Sequence, residues 1–488
     1  MPNRRSSLLL SCAVLAAGVP VAGIALAAPK ACGSEVKTPP LAFAERVYVD
    51  RNRAGGEPVS VVAQDGSLSM SAHAGTTHIY KDPAALPGAG DFVNGYTNQT
   101  LNWRSTDGGK TWAYIGLNGT GQGPHTLASS GFSDPDYAID AGGRIYNTEI
   151  NLANVAVFSS GDDGQTYTRG NPEVTSGDRP WVTAGAAEEV YLYVNTLQQI
   201  FRSTDGGLTW TLQSRSNQAG PDAKMYIDPR NPKTGLIGPN NPDGVSISKD
   251  QGKTWEAFAG AELGPTVDFF GAVAVDKAGF AYRAAAGGYK GGSDAVADGE
   301  VTFNWFDRKT NEWSPEAVTV PTPKGDALWP WVVAGDDGRV AIAWLQSLEK
   351  EPQSFYVYVA QTLNAHGTKV KCSNGSTKVI PPRWSVANAS KKPVHQGPIC
   401  LNGTTCNASP DFPEGDRRLG DFITVNYDKD GTLFVASADT TLRTAVEGGS
   451  VKPVGNPVFI KASKGAKMTK KPMTTRKTRP SCGLDPLC

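Results

Sequence analysis

A short motif that recurs four times constrains the fold of this 488-residue chain more than any other feature. Each copy reads Ser-x-Asp-x-Gly-x-Thr followed by an aromatic residue. The aspartates of the copies are Asp107, Asp162, Asp205 and Asp250. They lie 55, 43 and 45 residues apart, a spacing typical of repeat architectures. Weaker copies lie at 307–313 and 362–368.

The motif has the composition of a tight turn between two antiparallel strands. Its Asp can accept backbone N–H groups, its Gly adopts positive φ, and its hydroxyls close the loop, while the aromatic ring packs on the neighbouring sheet. A second repeat, out of phase with the first, reads strand, Asp/Gly turn, strand. It occurs at 135–146, 270–282, 331–344 and 422–435, and similar segments begin near Val59, Trp181 and Met225.

The second repeat supplies seven inner hairpins, and the Ser-x-Asp motif supplies an outer hairpin where it follows one of them. Together the two repeats predict four-stranded units every 40 to 60 residues. Such units are the blades of an all-β propeller, in which each sheet buries both faces against its neighbours. We predict seven blades, or six if the first or last unit is only a closing strand. A pair of stacked β-sandwiches is the alternative, but it would not explain the repeat period.

The four motifs resemble the Asp boxes of bacterial sialidases and of the wider group of BNR-repeat glycoside hydrolases. The resemblance covers roughly 41–460 and implies a sialidase-like propeller that acts on a glycan, with the boxes on the outer rim. Sialidases of this kind also carry an Arg-Ile-Pro signature ahead of the first box. This chain has none, and Arg46, Arg51 and Arg53 do not match it. The family's catalytic residues therefore cannot be transferred to positions here.

Candidate site residues come instead from the start of each innermost strand, which lines the mouth of a propeller. The predicted catalytic residues are Asp136, Asp178, Asp222, Asp268 and Asp421, with Asp134 and Asp326 at similar positions. The predicted substrate-binding residues are Arg179, Arg417, Arg418, Trp181, Trp329 and Trp331. Two carboxylates can act as acid and as base or nucleophile, arginine can bind an anionic group, and tryptophan can stack on a sugar ring.

Three other interpretations of these residues stay open. A ring of carboxylates could hold Ca²⁺, although we expect no cofactor. Aspartates at these positions could simply cap turns, and the propeller could bind a glycan or protein without catalysis. Zinc, serine-hydrolase and nucleotide chemistry are disfavoured, because the five histidines lack ligand spacing and no Gly-x-Ser-x-Gly or phosphate-binding loop occurs.

The N-terminal residues predict export. Arg4 and Arg5 precede an apolar stretch that ends in small residues, as in a cleaved signal peptide at 1–27, followed by a lead-in at 28–40. A membrane anchor fits less well, because Pro20 and other residues interrupt the stretch. We expect a secreted monomer without stable membrane insertion.

The cysteines support an extracellular location. Six remain after residue 27, an even number that favours disulfides in an export context. Close spacing suggests the pairs Cys400 with Cys406 and Cys482 with Cys488, which leaves Cys32 with Cys372. The first of these pairs lies in a long loop-like insertion at 369–420, which we expect to form a wall over the mouth.

Charge is unevenly distributed along the chain. Residues 461–488 hold eight Lys or Arg against one Asp, whereas residues 28–460 hold 37 basic and 46 acidic residues. This is not the pattern of a nucleic-acid-binding domain, so the expected partner is a glycan or polysaccharide. The basic tail is predicted to be disordered. It could adhere to an anionic polymer or membrane surface, fold back on the acidic body, or remain solvated.

Overall fold

A computed structural model gives the fold, and the regular structure within it is entirely β. It describes residues 36–51, 53, 55–73, 100–117, 133–150, 154–215, 219–240, 243–264, 270–288, 299–350, 353–401, 417–442, 446–447, 450–451, 455–483 and 485. The predicted signal peptide lies outside these residues. Within them there is no helix whose length and hydrophobicity would let it cross a membrane.

Two short strands precede the first four blades, each of which is a four-stranded antiparallel sheet built in chain order. The short strands are β1 (Ala42–Phe43) and β2 (Val47–Tyr48). Blade 1 contains β3 (Gly56–Val62), β4 (Leu68–His73), β5 (Leu101–Ser105) and β6 (Ala113–Leu117). Blade 2 contains β7 (Tyr137–Ile139), β8 (Ile145–Ile150), β9 (Val155–Ser160) and β10 (Arg169–Thr175). Blade 3 contains β11 (Pro180–Ala184), β12 (Val190–Val194), β13 (Gln199–Ser203) and β14 (Thr211–Arg215). Blade 4 contains β15 (Tyr226–Ile227), β16 (Leu236–Asn240), β17 (Gly244–Ser248) and β18 (Glu256–Phe258).

The remaining strands form three further blades and two small hairpins. Blade 5 contains β19 (Ala272–Val275), β20 (Phe280–Ala286), β21 (Val301–Asp307) and β22 (Glu312–Trp313), and β23 (Val318–Val320) also pairs with β21. Blade 6 begins with β24 (Ala327–Ala334), β25 (Val340–Lys350) and β26 (Gln353–Thr362). A separate hairpin of β27 (Thr368–Lys371) and β28 (Thr377–Ile380) follows, before β29 (Trp384–Asn388) and β30 (His395–Gln396) return to pair with β26. The last strands are β31 (Thr424–Tyr427), β32 (Leu433–Asp439), the hairpin β33 (Val446–Glu447) with β34 (Ser450–Val451), and β35 (Asn456–Lys464).

Blade 7 closes the ring with strands from both ends of the chain. Its order is β31, β32, β35 and β1, and β2 also pairs with β35. Ala42 faces Lys464 and Phe43 faces Ala462 in this pairing. The prediction of a seven-bladed all-β propeller is therefore confirmed, and its last blade is a full sheet that β1 completes.

The hydrophobic core lies between successive blades, because each sheet is apolar on both faces. One cluster joins Met70 and Trp103 of blade 1 to Phe434 and Phe459 of blade 7, and others join blades 2 and 3, 4 and 5, 5 and 6, and 6 and 7. Trp103 and Phe434 are completely buried. Burial on both faces explains why strands such as β12 and β19 are entirely apolar.

The four Ser-x-Asp motifs form the turn between the third and fourth strands of blades 1 to 4. In blade 1, one Asp107 oxygen accepts the N–H groups of Lys110 and Thr111 at 2.9 and 3.0 Å, and the other accepts the Thr111 hydroxyl at 2.6 Å. The same bonds recur around Asp162, Asp205 and Asp250. Because successive strands alternate in direction, these turns and the starts of the inner strands lie at opposite ends of the blades. The end that carries the turns is called the turn face below.

Two sequence predictions about irregular segments need correction. The stretch 369–420 is not a continuous loop, because β29 is the fourth strand of blade 6 and β30 also pairs with β26. Residues 461–483 are not a disordered tail: β35 extends to Lys464, and residues 465–483 make defined hydrogen bonds to several blades. The predictions failed because pairing with distant strands and turns, rather than local composition, decides both structures.

Three cysteines of the predicted framework lie within the described residues. Cys372, Cys400 and Cys482 are disulfide-bonded. Cys32, Cys406 and Cys488 lie outside the described residues, so the proposed pairing stays a prediction.

Candidate functional site

Four inner strands begin with the same backbone feature: a non-glycine residue at positive φ directly before a proline. The residues are Glu57, Asp134, Arg179 and Trp329, with φ between 50 and 60°. Left-handed backbone is uncommon for such side chains, and a following proline restricts the preceding residue further. In β3 and β24 the feature coincides with a register shift in the strand pairing. These four residues mark the mouth, on blades 1, 2, 3 and 6.

The feature brings a charged cluster together around Arg179. Its guanidinium lies 3.2 Å from Asp134 and 3.5 Å from Glu57, and it also contacts Asp421 of blade 7. Asp421 additionally pairs with Arg417, and the side chains of Asp421 and Glu57 are fully buried. Four blades thus contribute to one compact group of charges. Among these residues Arg179 retains a partly exposed edge, because 15% of its side chain is accessible.

A pair of carboxyl groups lies on the solvent side of this cluster. Asp178 is partly exposed, and its carboxyl group interacts electrostatically with that of Asp134. Burial, followed by the nearby charge of Asp134, raises the pKa of Asp178 to about 6, although Arg179 opposes the increase. Burial also raises the pKa of Asp134 against the influence of Arg179. The pair therefore retains a proton in a pH range where an ordinary aspartate has lost it.

Asp136 lies deeper than the cluster, on the wall of the central channel. Lys224 of blade 4 contacts both of its carboxylate oxygens, at 2.5 and 2.6 Å, and also donates to the carbonyls of Tyr137 and Val182 at 3.0 Å. The ammonium group thereby links blades 2, 3 and 4. Asp136, which we predicted to be catalytic, is held in an ion pair with Lys224 beside a cavity of about 320 Å³.

Aromatic rings pack together between the charged cluster and that cavity. Trp181, Phe270, Trp331 and Phe422 pack with ring centroids 5.2 to 6.4 Å apart. Trp181 and Trp329, two of the predicted sugar-stacking residues, are each only 2% exposed, whereas Trp331 is partly exposed and lines the cavity. In this structure, then, the first two tryptophans have no ring face open to a sugar.

The remaining predicted residues are distributed around the ring. Asp222 of blade 4 lies near Arg283, and within the described part of the chain neither of its carboxylate oxygens has a hydrogen-bond partner. Burial raises the pKa of Asp222, and Arg283 partly offsets this increase. Arg418 is buried and donates to the Thr440 carbonyl. Asp268 lies outside the described residues.

Sequence reasoning missed Glu57, which belongs to the cluster. Glu57 follows a glycine and has no aspartate beside it, so a search for Asp at strand starts passes over it. The signal that could have found it is the residue-proline pair shared with Asp134, Arg179 and Trp329. Asp326 is buried near Gln353, at 3.4 Å from its amide nitrogen.

One group in the described residues has the composition of a metal site, but it is already used in a turn. Asp276, Asp337 and His366 lie close together on the turn face of blades 5 and 6. Asp276 accepts the N–H groups of Ala278, Phe280 and Gly338 and the hydroxyl of Tyr282. These four donors account for its acceptor capacity. The calcium interpretation of the mouth stays untested.

Comparison with known proteins gives two distant sequence relatives. No protein-family model matches the chain. It is 26% identical over 224 residues to an oligoxyloglucan-reducing end-specific xyloglucanase of Emericella nidulans, covering 40% of this chain and 27% of that protein. It is 29% identical over 232 residues to a sialidase of Micromonospora viridifaciens, covering 46% of this chain and 29% of that protein. The chain spans less than a third of the length of either curated relative.

Among solved structures, a GH74 xyloglucanase from Xanthomonas campestris aligns with 82% of this chain and 54% of its own, at 13% identity and a TM-score of 0.44. A likeness at that level carries no functional argument. The chain is thus a seven-bladed β-propeller with distant sequence similarity to two carbohydrate-active enzymes.

Proposed function

We propose that this protein is a glycoside hydrolase that acts at the propeller mouth, with Asp178 as its proton donor. The observation that carries the proposal is the Asp134–Asp178 carboxyl pair, in which Asp178 is partly exposed and has a pKa of about 6. Glycoside hydrolysis requires one carboxyl group that keeps its proton near neutral pH and a second that is ionised. The distant similarity to a xyloglucanase and a sialidase supports a carbohydrate substrate.

Each residue of the mouth has a role in this proposal. Asp178 donates its proton to the glycosidic oxygen as the bond from that oxygen to the sugar C1 breaks. Asp134 is a positioning residue, because its charge raises the pKa of Asp178 and it is itself held by Arg179 at 3.2 Å. Water attacks C1 and replaces the leaving group, and its proton passes to a second carboxylate of the mouth. Asp222 is not assigned that role, because both of its carboxylate oxygens are buried.

The ion pairs at the mouth favour an uncharged glycan over a sialoside. Arg179 is already surrounded by the carboxylates of Glu57, Asp134 and Asp421. Arg417 and Arg418 are buried, at 2% and 5% exposure. Among the described mouth residues, therefore, no guanidinium is available to clamp a substrate carboxylate, and a further anion would meet an excess of negative charge.

The test is a hydrolysis screen that uses leaving groups of different quality. The full chain and the Asp178→Asn variant are assayed on neutral aryl glycosides and on a sialoside, each as the nitrophenyl and dinitrophenyl derivative. Loss of a proton donor should reduce turnover of the poorer leaving group by about 10²-fold or more, and spare the better one. Asp430→Asn is the matched control, because that carboxylate lies on the turn face.

Each outcome of the screen bears on the proposal. Turnover of a neutral glycoside with selective loss in Asp178→Asn supports it. Equal loss on both leaving groups would assign Asp178 a structural role. Retention on a glycan array without any turnover would replace the enzyme by a binding propeller, and turnover of the sialoside alone would contradict the proposed substrate class.

We also propose that the protein is secreted. The support is the signal-like sequence at 1–27 together with the disulfide-bonded Cys372, Cys400 and Cys482. Expression of the full chain with its first 27 residues, compared with a version lacking them, tests this proposal by the amount recovered outside the cell.

A further inference from the structure

The basic C-terminal segment forms a strap across the turn face, defined here as residues 464–483. The N–H of Met468 donates to Gly431 of blade 7, and its carbonyl accepts the N–H of Asp336 of blade 6. Met473 donates to Lys429, and Arg476 donates to Gln64 of blade 1. The strap then reaches blade 2, where the Cys482 N–H donates to Asp162 at 2.9 Å. It therefore crosses four blades, including the seam between blades 7 and 1.

The arginines and lysines of the strap have different surroundings. Arg476 makes a two-pronged contact with the buried Asp163 at 2.6 and 2.9 Å. Arg479 donates its side chain to the carbonyls of Gly161 and Gly142 at 2.8 and 2.6 Å. Both arginines therefore anchor the strap to the propeller, which suits the planar guanidinium.

The lysines of the strap face solvent instead. Lys464, Lys467, Lys470, Lys471 and Lys477 are all exposed. Lys467 contacts the Thr432 hydroxyl, but within the described part of the chain the other four ammonium groups have no ion-pair partner. The strap contains no acidic residue. Its outer side is thus a row of positive charge that spans at most about 45 Å of extended chain.

We propose that this row binds a linear polyanion, a polymer with an anionic group on its repeating units. A line of charges along an extended backbone matches a linear polymer, and release of the polymer's counterions would favour binding. A flat anionic bilayer fits less well, because Asp430, Asp337 and Glu188 lie exposed on the same face, with side chains 46, 56 and 41% accessible, although each also contacts a basic side chain. A bilayer would approach these carboxylates, whereas a polymer can follow the strap alone. This inference does not depend on the proposed function.

The test compares two variants of equal net charge. In the strap variant, Lys464, Lys470, Lys471 and Lys477 are changed to Gln; in the matched control, the exposed Lys233, Lys253, Lys309 and Lys392 are changed to Gln. Binding of the full chain to polygalacturonate and to inorganic polyphosphate is measured over a range of salt concentrations, with uncharged dextran and anionic lipid vesicles as the other probes. A further variant with the four strap lysines changed to Arg retains the charge.

We expect the strap variant to lose at least about 10-fold in affinity for the polyanions, and the slope of log K against log salt to fall by about 3. The control and the Lys→Arg variant should stay within about twofold of the parent protein. Equal losses in the strap variant and the control would show that net charge alone drives binding and would overturn the proposal. Absence of polyanion binding, or tighter binding to vesicles than to both polymers, would overturn it as well. Unchanged thermal unfolding of the strap variant confirms that lost binding is not lost folding.

Discussion

Replacing Asp178 by Asn should change how the stability of the protein depends on pH. Burial and the nearby Asp134 charge raise the pKa of Asp178 from 3.8 to about 6 in the folded state. Between those values the folded protein retains a proton that the unfolded chain releases. The free energy of unfolding of the wild type therefore falls as pH rises from about 4 to 6. At 1.36 kcal/mol for each pKa unit, the loss amounts to up to about 3 kcal/mol.

The Asn side chain cannot ionise, so the variant should not show this loss. We expect its stability relative to the wild type to rise by about 2 to 3 kcal/mol between pH 4 and pH 7. Urea unfolding followed by tryptophan fluorescence at pH 4, 5, 6 and 7, at constant ionic strength, measures the difference. Thr196→Val is the control. It removes a hydroxyl that accepts the Asp178 N–H at 2.7 Å, but it changes no titratable group. A difference between wild type and Asp178→Asn that stays constant, or decreases with pH, would refute the reasoning.

Four other substitutions, at three places in the fold, test further contacts. Arg179→Met leaves the carboxylates of Glu57, Asp134 and Asp421 without their shared cation. It should lower the free energy of unfolding at pH 7 by about 3 to 5 kcal/mol. A decrease of less than about 1 kcal/mol in urea unfolding would contradict this prediction. Lys224→Met should cost a similar amount by stranding Asp136, and the added change Asp136→Leu should recover part of the loss in thermal unfolding. Burial tends to raise the pKa of Asp107, but hydrogen bonds from Thr111 and Ser105 outweigh it and lower that pKa to about 2. Asp107→Asn should therefore destabilise the protein at pH 7 and have progressively less effect as pH falls from 4 towards 2.

The repeat pattern allowed the blade architecture to be predicted because its information is local. Each Ser-x-Asp motif builds its own turn from residues within four positions of the aspartate, as around Asp107. The strap illustrates the opposite case, since Arg476 and Asp163 are 313 positions apart. Its composition resembles that of a disordered tail, and only the assembled turn face provides the acceptors that order it.

The candidate residues suggested by the sequence differ in how deeply they are buried. Asp136 and Trp181 lie two positions beyond the left-handed residues Asp134 and Arg179, and each is only 2% exposed. Asp178, one position before Arg179, is partly exposed. A list of residues near strand starts mixes buried and accessible side chains, because burial depends on how seven blades converge and not on any single segment.

The strained residues before proline give the mouth a physical character of its own. Left-handed backbone at a non-glycine residue costs on the order of 1 to 3 kcal/mol, and such positions persist where the surroundings hold them in place. Here Glu57, Asp134 and Arg179 are held by one another's charges, each from a different blade. The ion-pair cluster therefore fixes the backbone that presents Asp178 to solvent. Substitutions that weaken the cluster should displace that carboxyl group, so the stability of the mouth and its proposed chemistry depend on the same contacts.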